Sequence, residues 1–157
     1  MDVDRRVKAG INMDGTLGVG YPAGTNAPVV EHGLDRPFLL LGAGGTGPDG
    51  APQTHRTQPS WGLFWDNSTG WKRDLNVPDG MHFTFTDHQA LIPWFDRFID
   101  VPPELTARSI GSVDPNSILR SLRTYIPAFF DQHLRDRPGN KLWRGDSPNH
   151  PDIRFIA

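Results

Sequence analysis

Pro37-Phe38-Leu39-Leu40-Leu41-Gly42 is the stretch on which the fold turns. It is an unbroken apolar run closed by glycine, of strand length and too short for a free-standing helix. A strand that is apolar on both faces needs cover on both, as in a parallel sheet between two helical layers. Upstream, Val7-Lys8-Ala9-Gly10-Ile11-Asn12-Met13 is a second short run that ends at Asp14-Gly15. Downstream, Trp71, Arg73, Leu75 and Val77 alternate with Lys72, Asp74 and Asn76, which predicts a third strand nearer an edge, stopped by Pro78-Asp79-Gly80.

Helical spacing fills the intervals. Ser60 stands at an N-cap position ahead of Trp61, Phe64 and Trp65. Asp87 would cap a helix running to Phe98, with Leu91, Trp94, Phe95 and Phe98 on one face and Pro93 bending it. The strongest helix is Pro115 to Arg135, where Ile118, Leu119, Leu122, Tyr125, Ile126, Phe129, Phe130 and Leu134 form a sustained stripe. Asp114 is its N-cap, Pro127 should kink it, and Pro138-Gly139 should stop it. Residues 16–36 and 43–59 read as Gly/Pro loops, and 140–157 as a polar tail closing on Ile153, Phe155 and Ile156. The order strand, strand, helix, strand, helix, helix predicts an α/β fold of about three parallel strands flanked by helices. The Val7–Met13 strand lacks a neighbour on its other side, so the sheet is expected to be incomplete.

Composition narrows the class. The 157 residues suit one domain, residues 1–157. Only 36% are hydrophobic, but 5 Trp and 9 Phe supply large apolar surfaces to a chain rich in loops. A net charge of −2 gives no electrostatic reason to expect nucleic acid or an anionic membrane as partner. With 0 Cys, disulfides and thiolate metal sites are excluded. No apolar run approaches the length of a membrane span, and no signal peptide is evident at Met1-Asp2-Val3-Asp4-Arg5-Arg6, which leaves the compartment open.

Asp14 and His82 each follow a strand, at the carboxyl ends where α/β sheets gather their reactive groups. A histidine base needs a carboxylate to fix its tautomer and to stabilise the imidazolium that forms. Alone, Asp14-Gly15 is ordinary turn chemistry and His82 an ordinary structural histidine. Together, acid first and histidine second, they have the chain order of the latter part of a nucleophile–acid–histidine triad. No serine in the chain has glycines two before and two after it. His82 and His88 lack the spacing of paired helical metal ligands, and His32, His55, Asp35 and Asp49 fall in loops with no ligand pattern. Gly42-Ala43-Gly44-Gly45-Thr46-Gly47 looks like a phosphate loop but lacks the Lys-Ser/Thr ending, so it reads as a flexible connection.

Gly10-Ile11-Asn12-Met13-Asp14-Gly15, Pro37 to Gly42, Trp71 to Leu75, Gly80-Met81-His82-Phe83-Thr84-Phe85-Thr86-Asp87 and Tyr125 to Asp131 resemble one family. It is the carboxyl-terminal half of α/β-hydrolases of the platelet-activating factor acetylhydrolase-like and bacterial lipase/esterase group. The resemblance implies a carboxylic ester hydrolase in which Asp14 is the triad acid and His82 the general base, with no metal and no organic cofactor. It also implies that the nucleophile and oxyanion hole are missing, and Met1 to Arg6 is similar to the stretch just past the nucleophile helix. The chain alone is therefore expected to be inactive, and secretion of the whole protein is left open by the sequence.

Its substrate would be an ester or lipid-like small molecule with an apolar part. Leu17 and Tyr21, in the loop after Asp14, are the candidate substrate contacts, together with Trp61 of the aromatic group Trp61, Phe64, Trp65 and Trp71, whose other members suit a core. The alternative is a non-catalytic interaction or dimerising domain that pairs its open sheet edge with itself or with a partner. Either way, self-association or pairing with the missing half is expected.

Overall fold

The computed structural model describes residues 1–19, 25–135, 137 and 141–157. In chain order the elements are β1 (Gly10–Met13), β2 (Gly18–Val19), β3 (Thr25–Asn26), α1 (Pro28–His32), β4 (Phe38–Ala43), α2 (Pro59–Asn67), β5 (Lys72–Val77), α3 (His88–Phe95), α4 (Pro103–Ile110), α5 (Pro115–Leu134) and β6 (Arg154–Phe155). β4 holds the leucine run at the centre of the main sheet, hydrogen-bonded in parallel to β1 and to β5, and all of its residues are buried. Its alternation divides the core. Leu39 and Leu41 join Leu75, Val77, Ile118, Leu122, Tyr125 and Phe129 under α5, while Phe38 and Leu40 join Val30, Leu34, Trp61 and Phe64 under α1 and α2. Each such side chain contributes about 1.5–3 kcal/mol on leaving water.

Two features of the sheet depart from the sequence expectation. The tail adds β6, which runs antiparallel to β5 with Leu75 opposite Phe155 and Asn76 opposite Arg154. A strand of two residues is too short to show an alternation in sequence. With β6 in place, β5 lies inside the sheet rather than near its edge. Its polar positions mimicked a solvated face, but they bond inward instead. Lys72 Nζ donates to the carbonyls of Trp65 (2.5 Å) and Ser68 (2.8 Å), and Asn76 Nδ2 donates to those of Gly42 (3.1 Å) and Ala43 (2.9 Å). β1 is bonded to β4 alone among the described residues, so its other edge is unpaired, as expected.

Asp114 caps α5 by accepting the Ser117 amide at 2.7 Å, and the helix runs through Pro127 to Leu134. The expected stop at Pro138-Gly139 lies outside the described residues. Ser60 is not a cap: α2 begins at Pro59, whose fixed φ suits the first helical turn, with Gln58 ahead of it. Asp87 makes no side-chain cap either, since its own backbone is already helical (φ −63°), and α3 ends at Phe95 rather than Phe98. α1, α4 and the β2–β3 pair are short elements in stretches that carried too few apolar residues to be read.

Tyr125 is buried in the α5 core, and its hydroxyl has no hydrogen-bond partner among the described residues. Burial, with Asp146 adding its charge, pushes the phenol up to about 12. Tyr125→Phe should therefore stabilise the fold by about 1 kcal/mol, since an orphaned polar group costs about that much. The native phenol holds its proton to about 12 while an unfolded one releases it near 10.0, so native stability falls as pH rises above 10.0. Urea unfolding of both proteins on the two sides of that pH should show the phenylalanine variant losing less.

Candidate active site

The acid is set by the end of β1. Asp14 takes φ 57°, a left-handed conformation that aspartate tolerates better than most residues, while its amide donates to Leu41 at 2.8 Å. The turn is clamped on both sides. The Asn12 side chain bonds both the amide and the carbonyl of Gly15 at 2.9 Å, and Trp61 Nε1 donates to the same carbonyl at 3.0 Å.

The histidine is set by the far end of β5. After the Pro78–Gly80 turn, His82 opens a 3-10 turn that ends at Phe85. Thr84 locks that turn: its Oγ1 accepts the Met81 amide at 2.9 Å and donates to the Ile110 carbonyl at the end of α4 at 2.8 Å. The Asp79 main-chain carbonyl adds a second brace by accepting the amides of Ser112 (2.8 Å) and Val113 (3.1 Å).

Asp14 and His82 lie 68 residues apart in sequence and meet through Asp14 Oδ2 and His82 Nδ1 at 2.9 Å. The carboxylate side chain is 0% exposed, whereas the imidazole is 55% exposed. Asp14 Oδ1 is occupied separately, by the Ala43 amide and the Thr46 hydroxyl, each at 2.8 Å. An ionised carboxylate only accepts, so Nδ1 carries the proton of this bond, and in the neutral ring Nε2 then keeps its lone pair. That is the tautomer a general base requires, with a fixed negative charge behind it to favour the imidazolium. Phe83 stands edge-on to His82 at 5.4 Å between ring centroids and continues to His88 at 4.8 Å, which gives the site a partly exposed aromatic border.

The remaining expected site residues are distributed around this pair. Trp61 is fully buried in the α1–α2 core, and its indole reaches the site through the Gly15 carbonyl. Leu17 is half-buried and lines an apolar cavity of about 290 Å³ beside β1 with Ile11, Val29, Phe38 and Phe64. Tyr21 lies outside the described residues. Among the described residues no serine hydroxyl is bonded to His82; Ser117 bonds Asp152 at 2.6 Å and Ser121 bonds His150 at 3.1 Å.

A second acid–histidine pair was not foreseen. Asp74 Oδ2 accepts both the amide and Nδ1 of His55 at 2.7 Å, and the imidazole stacks on Trp65 at 4.2 Å. Burial pushes the Asp74 carboxyl up, against the pull of His55. Here the ring is only 12% exposed, so the pair is a structural tie rather than an open site. The available signal was an aspartate at an inward position of a strand. Thr46 was also missed, and its signal was a hydroxyl in a glycine-rich loop leaving the strand beside Asp14.

No family model matches the chain. It is 26% identical over 160 residues to a protein of Arthroderma benhamiae named as a probable 1-alkyl-2-acetylglycerophosphocholine esterase, covering 98% of this chain and 38% of that protein. It is also similar to a solved structure, a ferulic acid esterase from Streptomyces cinnamoneus, with a TM-score of 0.71 and 38% identity over 98% of this chain and 41% of the other. The chain thus spans about two fifths of the length of either relative. The family resemblance read from the sequence stands, since both relatives are named as esterases. The open four-stranded sheet with its helices matches part of an α/β-hydrolase fold.

Proposed function

We propose that this chain is the acid–base part of a serine carboxylic ester hydrolase, in which Asp14 orients His82 and His82 moves the protons. The observation that carries this reading is the pair itself: a buried carboxylate bonded at 2.9 Å to an imidazole that is open to solvent. His82 Nε2 takes the serine proton as the serine oxygen bonds to the ester carbonyl carbon. The imidazolium then gives that proton to the departing alkoxide as the C–O bond breaks. Water repeats the sequence and releases the acid. Asp14 keeps accepting the Nδ1–H bond and so holds the ring in place. These steps are proton transfer and acyl exchange, which side chains perform without a metal or an organic cofactor.

The serine and the oxyanion hole are placed, on this reading, in polypeptide outside these residues, and the chain alone is inactive. Two observations support that placement: no described serine is bonded to His82, and both relatives are about two and a half times as long. The substrate is a small ester with an apolar portion, the acetyl and feruloyl esters of the two relatives' names being the natural probes. Leu17 and Tyr21, which follow Asp14 closely in sequence, are the proposed substrate contacts, and Trp61 is proposed to contribute by holding the acid turn through the Gly15 carbonyl. The edge of β1 left unpaired among the described residues and the apolar cavity beside it favour a second reading, a self-associating domain without catalysis.

One experiment separates the two. Hydrolysis of methyl ferulate and 4-nitrophenyl acetate is assayed for this chain and for the protein extended through its upstream coding sequence, with sedimentation of both. Activity confined to the extended form supports the hydrolase. Inactivity of both, with a stable dimer of this chain, supports the domain.

A further inference from the structure

We infer that the Gly42–Gly47 loop positions the acid–base pair as one unit, and that Thr46 is a positioning residue acting through Asp14; the inference rests on the proposed hydrolase reading. The loop resembles a phosphate cradle in sequence, but three of its amides are already used. The Ala43 amide donates to Asp14, that of Gly44 to the Gly80 carbonyl at 3.1 Å, and that of Gly47 to the Ala51 carbonyl at 2.8 Å. An anion would find none of these three free.

What the loop does hold is the carboxylate. The terminal torsion of an aspartate is broad and roughly two-fold, so a carboxylate with a single partner can turn. Two donors at 2.8 Å on Oδ1 fix the plane of Asp14 and leave Oδ2 facing His82. The same loop also sets the histidine. A Cβ on Gly44 would lie 1.7 Å from the Pro78 carbonyl oxygen, so only glycine allows the loop to lie against the turn that launches His82. Acid and base are therefore both referenced to one short piece of backbone, Ala43 and Thr46 on the Asp14 side and Gly44 on the His82 side. This accounts for Gly44 without any phosphate.

Thr46→Val keeps the shape and removes the hydroxyl, Thr46→Ala removes both, and Thr46→Ser keeps the donor. The first readout is the downfield His82 Nδ1–H resonance of this chain, followed by NMR with circular dichroism as the check of folding, and Asp14→Asn as reference. The resonance should broaden in the valine and alanine variants, persist in the serine variant and vanish in Asp14→Asn. In the extended, active protein, Thr46→Val should lower kcat about tenfold with KM unchanged, the scale expected for a small misplacement of a catalytic group, and Thr46→Ser should restore it. A folded Thr46→Val protein with the wild-type resonance, where Asp14→Asn loses it, overturns the inference and leaves the hydrolase reading intact. A resonance that survives Asp14→Asn overturns the pair, and with it the reading beneath.

Discussion

Asp14→Asn should lower kcat for ester hydrolysis by about 10⁴-fold in the active, extended protein, with the fold unchanged. Asparagine has nearly the shape of aspartate, and its amide oxygen can still accept from the Ala43 amide and the Thr46 hydroxyl that now hold Oδ1. The amide nitrogen then takes the place of Oδ2, 2.9 Å from His82 Nδ1. That nitrogen donates, so Nδ1 must accept and the proton moves to Nε2. The imidazole then presents a proton where the reaction needs a lone pair. Its imidazolium also loses the buried charge that stabilised it. Steady-state kinetics, with thermal melts as the control for folding, measure this directly. A loss smaller than about tenfold would mean that Asp14 is only a turn residue.

His55→Ala should be the most damaging change to stability away from the proposed site, at about 3–5 kcal/mol. The Asp74 carboxylate is 0% exposed, Oδ2 takes both of its bonds from His55, and Oδ1 has no partner among the described residues. Removing the imidazole leaves a buried charge with one backbone donor and strips the stack from Trp65. Burial already holds this carboxyl above its ordinary 3.8, so the native state binds the proton more tightly than the unfolded chain. The contribution of Asp74 is therefore most favourable in acid and is lost as pH rises from 3.8 towards the raised native value, the reverse of a salt-bridged carboxylate. Without His55 the native value moves higher still. The stability gap between wild type and His55→Ala, read from urea unfolding, should thus be wider at neutral pH than near 3.8. A gap that is equal at the two would show that the tie carries no charge.

The parts of the fold legible in the sequence were those with an undivided physical signal. Phe38 to Leu41 had to be a strand covered on both faces, and the Ile118–Phe129 stripe capped by Asp114 had to be a helix on that sheet. Asp14 and His82 stood out in the sequence only as a pair, acid before histidine, each at a strand end where such a sheet exposes its reactive groups. Elements whose stability comes from tertiary partners were not legible. β6 exists because Asp146 accepts the Phe155 amide at 2.7 Å and β5 offers it an edge. α4 carries only Leu105 and Ile110 as large apolar residues, and its end is fixed by the Thr84 bond to Ile110. β5 misled because its polar side chains bond inward to distant partners: Lys72 to carbonyls at the end of α2, Asn76 to carbonyls of β4, and Asp74 to His55, 19 residues before it. The Thr46 hydroxyl was invisible for the same reason: nothing local says that its acceptor is an aspartate 32 residues upstream.

The central claim, that Asp14 and His82 serve a serine that these residues do not contain, is tested most directly with a fluorophosphonate. The chain and its upstream-extended form are labelled side by side, and the modified residue is mapped by mass spectrometry. Labelling of one serine in the added segment, lost on His82→Ala, with none of the chain's own seven serines modified, is the predicted result. A labelled serine within the 157 residues, dependent on His82, would contradict it and make this chain an enzyme in its own right.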